Sequence, residues 1–289
     1  MFVENSWKDY EVLDTGNGEK LERWGDVILR RPDPQVIWPC RRPDLWSKAD
    51  AWYHRSEKGG GNWEFFRTLP EKWVIHFGEL SFYVRPTGFK HTGLFPEQAS
   101  NWTWMSSLIK EAVSQGRQIK VLNLFGYTGA ATLACAKAGA HVTHVDAAKG
   151  MVQWAKENRE LTKLPEESCR WIVEDALRFV QREIRRGNTY DGILMDPPSY
   201  GRGPNGEVWK LENELYGLVD KCAGVLSDHP LFVLVNSYTT GLQPAVLSNI
   251  LSLTVQKRFG GSVDAAEVVL PVNGGTVLPC GAAGRWTEK

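Results

Sequence analysis

From residue 119 onward, short apolar runs alternate with helix-patterned segments, and this alternation constrains the fold more than any other feature of the chain. Ile119–Phe125 is an apolar-rich run that halts at Gly126, the pattern of a buried strand. Ala130–Ala138 is rich in alanine and stops at Gly139, which predicts a helix with a glycine terminus. His141–Val145 predicts a second strand with Asp146 at its end. Lys149–Leu164 carries helical period through Met151, Trp154, Ala155 and Leu161. Arg170–Val173 predicts a third strand ending at Glu174 and Asp175, and Ala176–Arg186 an amphipathic helix with basic residues in its last turn. Tyr190–Met195 and Leu231–Val235 predict strands four and five, with helices over Leu215–Leu226 and Ala245–Leu253.

Such alternation means βαβ units and a parallel sheet. Right-handed crossovers make that sheet doubly wound. After Val255 the pattern changes. Val263–Val272 and Thr276–Leu278 flank Asn273-Gly274-Gly275, a hairpin signal. The expected fold class is therefore α/β: a Rossmann-like, mostly parallel sheet closed by an antiparallel hairpin.

The first 90 residues lack helical period and predict a small β-rich domain. Val27–Leu29 and Val36–Trp38 are short apolar runs, and Trp73–His76 with Leu80–Val84 flank a Gly78-Glu79 turn. Lys58–Asn62 reads as a loop. The expected organisation is residues 1–90 as the β-rich domain, 91–118 as a connecting strip and helix, and 119–289 as the Rossmann-like domain. Nine of the thirteen tryptophans lie in the first 104 residues, at 7, 24, 38, 46, 52, 63, 73, 102 and 104. Packing is the commoner use of such residues; base stacking is the alternative. Arg30, Arg31, Arg41 and Arg42 can form a phosphate-binding rim there, offset by Asp33 and Asp44.

Composition narrows the class without naming it. Lys plus Arg equals Asp plus Glu at 34 each, so no global field attracts nucleic acid and any such contact needs a local patch. The five cysteines are scattered, with no C-x-x-C pair, which points to reduced thiols in a cytoplasmic protein and no metal site. The N-terminal residues lack the apolar core of a signal peptide, and no apolar run is long enough for a membrane span.

Open α/β sheets bind ligands beyond the carboxyl ends of their strands. Three candidate groups fall there in order. Phe125-Gly126-Tyr127-Thr128-Gly129 joins strand one to its helix, where glycines admit a ligand to the backbone. Asp146 ends strand two, where a carboxylate can accept both hydroxyls of a ribose. Asp175 ends strand three, where an acid can accept from an exocyclic amine. Taken singly, each also fits a turn or a helix cap. A nicotinamide enzyme would carry G-x-G-x-x-G; this loop has no third glycine, which lowers the oxidoreductase reading.

After strand four comes Asp196-Pro197-Pro198-Ser199-Tyr200. Two prolines fix φ and remove two N–H donors. The resulting stiff loop can offer a carboxylate and a proline carbonyl to a planar amino or ring N–H, and steady positive charge developing on that nitrogen. Tyr200 can stack on a flat substrate. A plain loop stop is the alternative. Two more segments are candidates for the site. Gly201–Gly206 with Lys210 can hold a phosphate or be a solvated loop, and Lys90–Gln98 can be a cofactor lid or an ordinary linker.

At these residues the chain resembles a known family. F-G-Y-T-G, V-D-A at 145–147, E-D-A at 174–176 and D-P-P-S-Y resemble the bacterial 23S ribosomal RNA methyltransferases that make 5-methylcytosine or 7-methylguanine. Thr92–Gln98 resembles that family's T-G-x-F-x-x-Q segment. The resemblance runs over residues 65 to 240 and implies a class I S-adenosylmethionine-dependent methyltransferase acting on RNA. It implies cofactor contacts at Gln98, Phe125, Gly126, Thr128, Gly129, Asp146 and Asp175, and a reaction site at Asp196, Pro197, Pro198 and Tyr200. Two departures matter. No PUA RNA-binding domain is recognisable in the N-terminal residues. The cytosine-C5 branch needs a thiolate to add to C6, typically from an S-C-S segment after strand five, and Val235-Asn236-Ser237-Tyr238-Thr239 holds no cysteine; Cys222 and Cys280 read as buried thiols, with Cys280 the outside candidate for that role. Methylation of an RNA nitrogen is the expectation. A small-molecule or protein methyltransferase is the alternative, and a nucleotide-binding oxidoreductase or a non-catalytic RNA-binding module are remoter ones.

Overall fold

The computed structural model describes residues 1–56, 60–202 and 208–288. Parts of two segments singled out in the sequence, Lys58-Gly59 and Gly203–Gly206, lie outside the described residues. The chain divides into two compact units: residues 3–99 with 269–279, and residues 1–2, 100–268 and 280–289.

The first unit is built from strands. A short β1 (Phe2–Val3) precedes β2 (Tyr10–Gly16), β3 (Glu19–Trp24) and β4 (Val27–Pro32). A one-turn α1 (Pro43–Trp46) leads to β5 (Ala51–Arg55), β6 (Gly61–Phe65) and a separate hairpin of β7 (Trp73–Phe77) and β8 (Leu80–Val84). The expected Gly78-Glu79 turn joins that hairpin. β2 to β6 pair in sequence order. Val36–Trp38 forms no strand: Val36 is buried, Ile37 is 90% exposed, and the segment is held by turn hydrogen bonds to Asn17 and Gly18.

The tryptophans here act as clamps. Trp24 is fully buried, while the others are half-buried with their indole N–H used inside the unit. Trp7 donates to Pro96 O, Trp38 to Thr15, Trp46 to Asp14, Trp52 to Glu19, Trp63 to Thr87 O and Trp73 to Trp24 O. A large apolar body with one satisfied polar tip suits a thin β-rich layer. Of the four arginines named for a rim, Arg41 and Arg42 are exposed, while Arg30 and Arg31 are engaged inside the unit. Arg30 pairs with Glu19 and stacks on Trp52, and Arg31 is buried, binding both oxygens of Glu22 at 2.7 and 2.8 Å.

The second unit is the Rossmann-like one. Its elements are α2 (Ala99–Ser114), β9 (Lys120–Leu124), α3 (Ala130–Lys137), β10 (His141–Asp146), α4 (Lys149–Leu161), β11 (Cys169–Val173), α5 (Ala176–Arg186) and β12 (Gly192–Met195). Then follow a small hairpin of β13 (Tyr200–Arg202) and β14 (Val208–Lys210), α6 (Leu211–Ala223), β15 (Phe232–Ser237), α7 (Pro244–Leu251), a π-helical turn, α8 (Lys257–Phe259), β16 (Ser262–Val272) and β17 (Thr276–Thr287). The order is β11-β10-β9-β12-β15-β17-β16, with the first five strands parallel and β17 antiparallel to β15. This is the expected doubly wound sheet with its closing hairpin. The strand order reverses between β9 and β12, which places the ligand crevice at their carboxyl ends.

Local sequence explains these elements. β12 is buried at every position, hence its unbroken apolar run. α5 is capped by Asp175, ends at left-handed Gly187 and keeps Arg185 and Arg186 in its last turn. α6 begins four residues before its expected start, because Leu211 is itself buried and its N–H bonds Ser199 O at 3.1 Å. One face of the sheet is mainly apolar: Leu122, Leu124, Val145, Ile193, Met195, Val233 and Val235 pack against α5, α6 and α7, with Thr143 and Ser237 buried on the same side. The other face carries buried polar groups, Asn123, His144 and Asn236.

The Glu22–Arg31 pair gives the first unit an acid sensitivity. Burial raises the Glu22 carboxyl, but the cations of Arg31 and Lys20 overcome it and hold it down at about 2. The stabilisation is complete above pH 4.5 and is lost as pH falls towards 2. Glu22→Gln should leave Arg31 buried without an anion, cost about 3–5 kcal/mol at neutral pH, and flatten the acid limb of the stability profile. Urea unfolding at pH 7 and pH 3 would check both.

Candidate active site

The chain leaves β9 through a loop of unusual backbone. Phe125 and Tyr127 both have positive φ, at 58° and 51°, and Gly129 follows at 86°. Left-handed Phe and Tyr are costly, and such strain persists only where surroundings fix it. The fixing contacts are specific. Gly126 N donates to Val145 O at 3.0 Å, Tyr127 N to Asp146 Oδ2 at 2.9 Å, and Asn158 Nδ2 to Thr128 O at 2.9 Å. Gly129 is the N-cap of α3 and supplies no side-chain cap. The first-turn N–H groups of that helix form a ready site for a carboxylate or phosphate.

Gly126 has no alternative. A Cβ there would stand 2.4–2.9 Å from the ring atoms of His144. His144 is fully buried, its Nδ1 2.9 Å from Thr132 Oγ1, which also accepts from Asn123 Nδ2 at 2.8 Å. Burial pushes the imidazole down to about 3, so the ring is neutral. Gly129 is equally constrained, since a Cβ would meet that of Ala155 at 2.8 Å.

The two acids hold their expected strand ends. Asp146 binds Tyr127 N with one oxygen and Ala148 N with the other, at 2.9 and 2.8 Å. Each carboxylate oxygen has two acceptor directions, so these bonds orient the group and leave it capacity for a diol. Asp175 is exposed and caps α5, one oxygen accepting from Arg178 N at 2.9 Å.

Asp196 follows β12, and its N–H reaches Leu124 O at 3.4 Å. Pro197 is buried; Pro198, Ser199 and Tyr200 are exposed, Tyr200 by 52%. The Pro198 carbonyl is taken by the indole N–H of Trp209 at 2.6 Å. Trp209 also packs on Phe125, with ring centroids 5.9 Å apart, and Thr239 donates to Ser199 Oγ at 2.6 Å. The structure thus brings together Phe125, Gly126, Asp146 and Asp196 at one sheet edge. Gln98 belongs to the other unit, buried in a one-turn helix whose Pro96 carbonyl Trp7 binds. Sequence reading missed Trp209, because only the β13–β14 pairing carries it back to Pro198.

Cys135, Cys169 and Cys222 are buried, and burial raises Cys222 to about 12. Cys280 lies on β17, two residues beyond the Ser237–Ala282 pair, on the strand side shared with Ala282 and Trp286. All five cysteines are free.

Comparison with known proteins agrees with this fold. The family model described as conserved hypothetical protein 95 matches residues 101–215. A crystal structure of a SAM-dependent methyltransferase from Agrobacterium tumefaciens is 40% identical, covering 100% of this chain and 93% of that one with a TM-score of 0.94. The ribosomal RNA large subunit methyltransferase K/L of Syntrophotalea carbinolica is 25% identical, covering 71% of this chain and 28% of that protein. The large subunit methyltransferase K of Neisseria meningitidis is 25% identical over 68% of this chain and 53% of its own length. This chain therefore spans between about a quarter and a half of these curated relatives. Fold and crevice define a class I methyltransferase. The chain belongs to the S-adenosylmethionine-dependent methyltransferases, and S-adenosylmethionine is its cofactor. The uncapped helix, the Gly126 cradle and the oriented Asp146 carboxylate fit that cofactor's amino-acid and ribose groups.

Gly126→Ala should weaken S-adenosylmethionine binding at least tenfold by calorimetry, because the new methyl collides with His144. Adding His144→Ala should recover part of the loss. An unchanged double mutant would show that the glycine serves something other than this packing.

Proposed function

We propose that this chain transfers a methyl group to a nitrogen of an RNA base, in ribosomal RNA. The observation that carries the reading is Asp196-Pro197 at the carboxyl end of β12, beside the cofactor loop. The substrate class rests on the two relatives named as ribosomal RNA methyltransferases, and on Tyr200, whose exposed ring suits stacking on a base.

The roles follow from chemistry. Phe125, Gly126, Thr128 and Gly129 hold the cofactor through the loop backbone and the start of α3. Asp146 takes the ribose hydroxyls, and Asp175 accepts from the adenine amine with the oxygen not used as a cap. Gln98 is assigned to the cofactor by the family resemblance alone. The bound cofactor supplies an electrophilic methyl on a sulfonium, so the protein's work is position and electrostatics. Asp196 and the Pro197 carbonyl accept from the target amino or ring N–H. They aim its lone pair and stabilise the positive charge it gains. Pro198 and Trp209 keep that turn rigid. The segment after β15 reads Asn236-Ser237-Tyr238 where the cytosine-C5 branch carries S-C-S, so attack on C6 of cytosine lacks its usual nucleophile, which supports nitrogen over cytosine C5. Five free cysteines suit a reducing cytoplasm. No described helix is long and apolar enough to cross a membrane.

The deciding experiment is transfer of tritiated methyl into RNA, protein and metabolite fractions from a strain lacking this chain. Label in ribosomal RNA is expected; label confined to protein or metabolites overturns the RNA reading. Asp146→Ala should abolish calorimetric binding of S-adenosylmethionine. Asp196→Asn should keep binding within about threefold while lowering kcat by 10²-fold or more, on the order of one lost transition-state acceptor.

A further inference from the structure

The strand-built unit ends at an edge that is aromatic and exposed. β6 ends the strand order of its sheet, and its Trp63 and Phe65 share one face, with ring centroids 6.4 Å apart and planes 27° apart. Phe65 is 53% exposed. The Trp63 indole N–H donates to Thr87 O at 2.8 Å, which fastens a turn over Thr87–His91 beside the strand. The Thr87 hydroxyl closes that turn, donating to His91 O at 2.8 Å and accepting from Phe89 N at 3.3 Å. Phe89 stands at its tip and is 66% exposed. Two phenyl rings held in water on hydrogen-bonded backbone each forgo about 25 cal/mol for every Å2 of apolar surface left unburied.

Cations crowd against the same turn. Arg31 Nη1 donates to Lys90 O at 2.9 Å, and Lys20 lies 3.4 Å from Asp33 and 3.8 Å from Glu22, whose two oxygens Arg31 takes. The Lys90 ammonium makes no ion pair among the described residues. Neither does exposed Arg55, on the strand paired with β6. Burial and the charges of Lys20, Arg31 and Arg55 draw Lys90 below the usual lysine value, with Asp33 opposing. Burial, with Arg31, Lys90 and Lys20, pushes His91 down to about 4, so that ring is neutral at pH 7. Four cations thus share three acids: Glu22, Asp33 and, acting on Arg31, Glu97. Arg55 and Lys90 are the two with no committed anion.

Exposed rings beside uncommitted cations fit one ligand chemistry better than others. A protein partner or a second copy covering the rings would have to bring carboxylates to Arg55 and Lys90 as well. A single-stranded polynucleotide brings both parts at fixed spacing, a π-face on each base and a negative charge on each phosphodiester. A duplex keeps its bases stacked on one another and offers only the charges. We propose that the exposed face of β6 and the Thr87–His91 turn bind a single-stranded stretch of the substrate RNA, with Phe65 and Phe89 stacking on bases and Arg55 and Lys90 taking phosphates. The proposal rests on the RNA reading of the function and gives the strand-built unit a part in it. It also answers the neutral net charge of the chain, since the attraction comes from a local surplus.

The probe is a fluorescein-labelled single-stranded RNA of about ten nucleotides and mixed sequence, read by anisotropy against the full chain. Wild type should bind it more tightly than the same sequence in a duplex. Phe65→Ala and Phe89→Ala should each raise Kd about fivefold or more, the low end for one base–ring stack. Arg55→Gln combined with Lys90→Gln should lower the slope of log Kd against log salt by about 1.4, for two phosphates at about 0.7 each. Ile37→Ala removes a still more exposed apolar side chain from a different segment of the unit and should change neither. Tm and the calorimetric Kd for S-adenosylmethionine should match wild type in both phenylalanine variants, which separates a lost contact from a lost fold. Tritiated methyl from wild type confined to protein or metabolites overturns RNA as the substrate, and this proposal with it. Labelled ribosomal RNA, with Kd and slope unmoved by all four substitutions, overturns this surface alone. So does a dimer in sedimentation that Phe89→Ala dissolves, which would assign the rings to a second copy.

Discussion

The carboxyl end of the sheet depends on one carboxylate. Asp146 ties Tyr127 N and Ala148 N together, so a single side chain at the end of β10 fixes both the loop leaving β9 and the start of α4. Without it, Phe125 and Tyr127 would have little reason to hold left-handed backbone. Each oxygen keeps a second acceptor direction beyond these bonds, so the group that holds the loop in shape retains capacity to accept from a ligand.

The sheet's two faces divide the labour. The face under α5, α6 and α7 is mainly apolar and supplies the cohesion of the unit. The opposite face is interrupted by Asn123, His144 and Asn236, each buried and each bonded to a polar side chain of a helix, Thr132 for the first two and Asn101 for the third. Polar groups in a core are tolerated where they are satisfied and where they specify a geometry. Here His144 sits directly beneath Gly126 of the glycine loop.

Much of this was readable from the chain itself. The βαβ rhythm gave the strand order's framework because parallel strands are buried on both faces and read as apolar runs. The loop, Asp146, Asp175 and the Asp-Pro-Pro turn were legible because each lies within a few residues of a strand end. What was not legible depends on distant pairing. Trp209 reaches Pro198 only through the β13–β14 hairpin, and Asn101 meets Arg285 across 184 residues. No local pattern announces either. The N-terminal tryptophans were readable as aromatic but not as clamps, since the acceptors for their N–H groups lie as far as 89 positions away.

The long closing hairpin has a consequence for modularity. β16 and β17 each begin in one unit and end in the other, so the polypeptide passes between units inside strands as well as at Ala99–Ser100. The β-rich unit is therefore not a bead on a string. No single cut releases it, and no contiguous gene segment encodes it. A lineage could not acquire or discard it by the end-to-end fusion that shuffles ordinary accessory domains. It would have to change by substitution and by loop growth, in step with the methyltransferase unit whose strands it borrows.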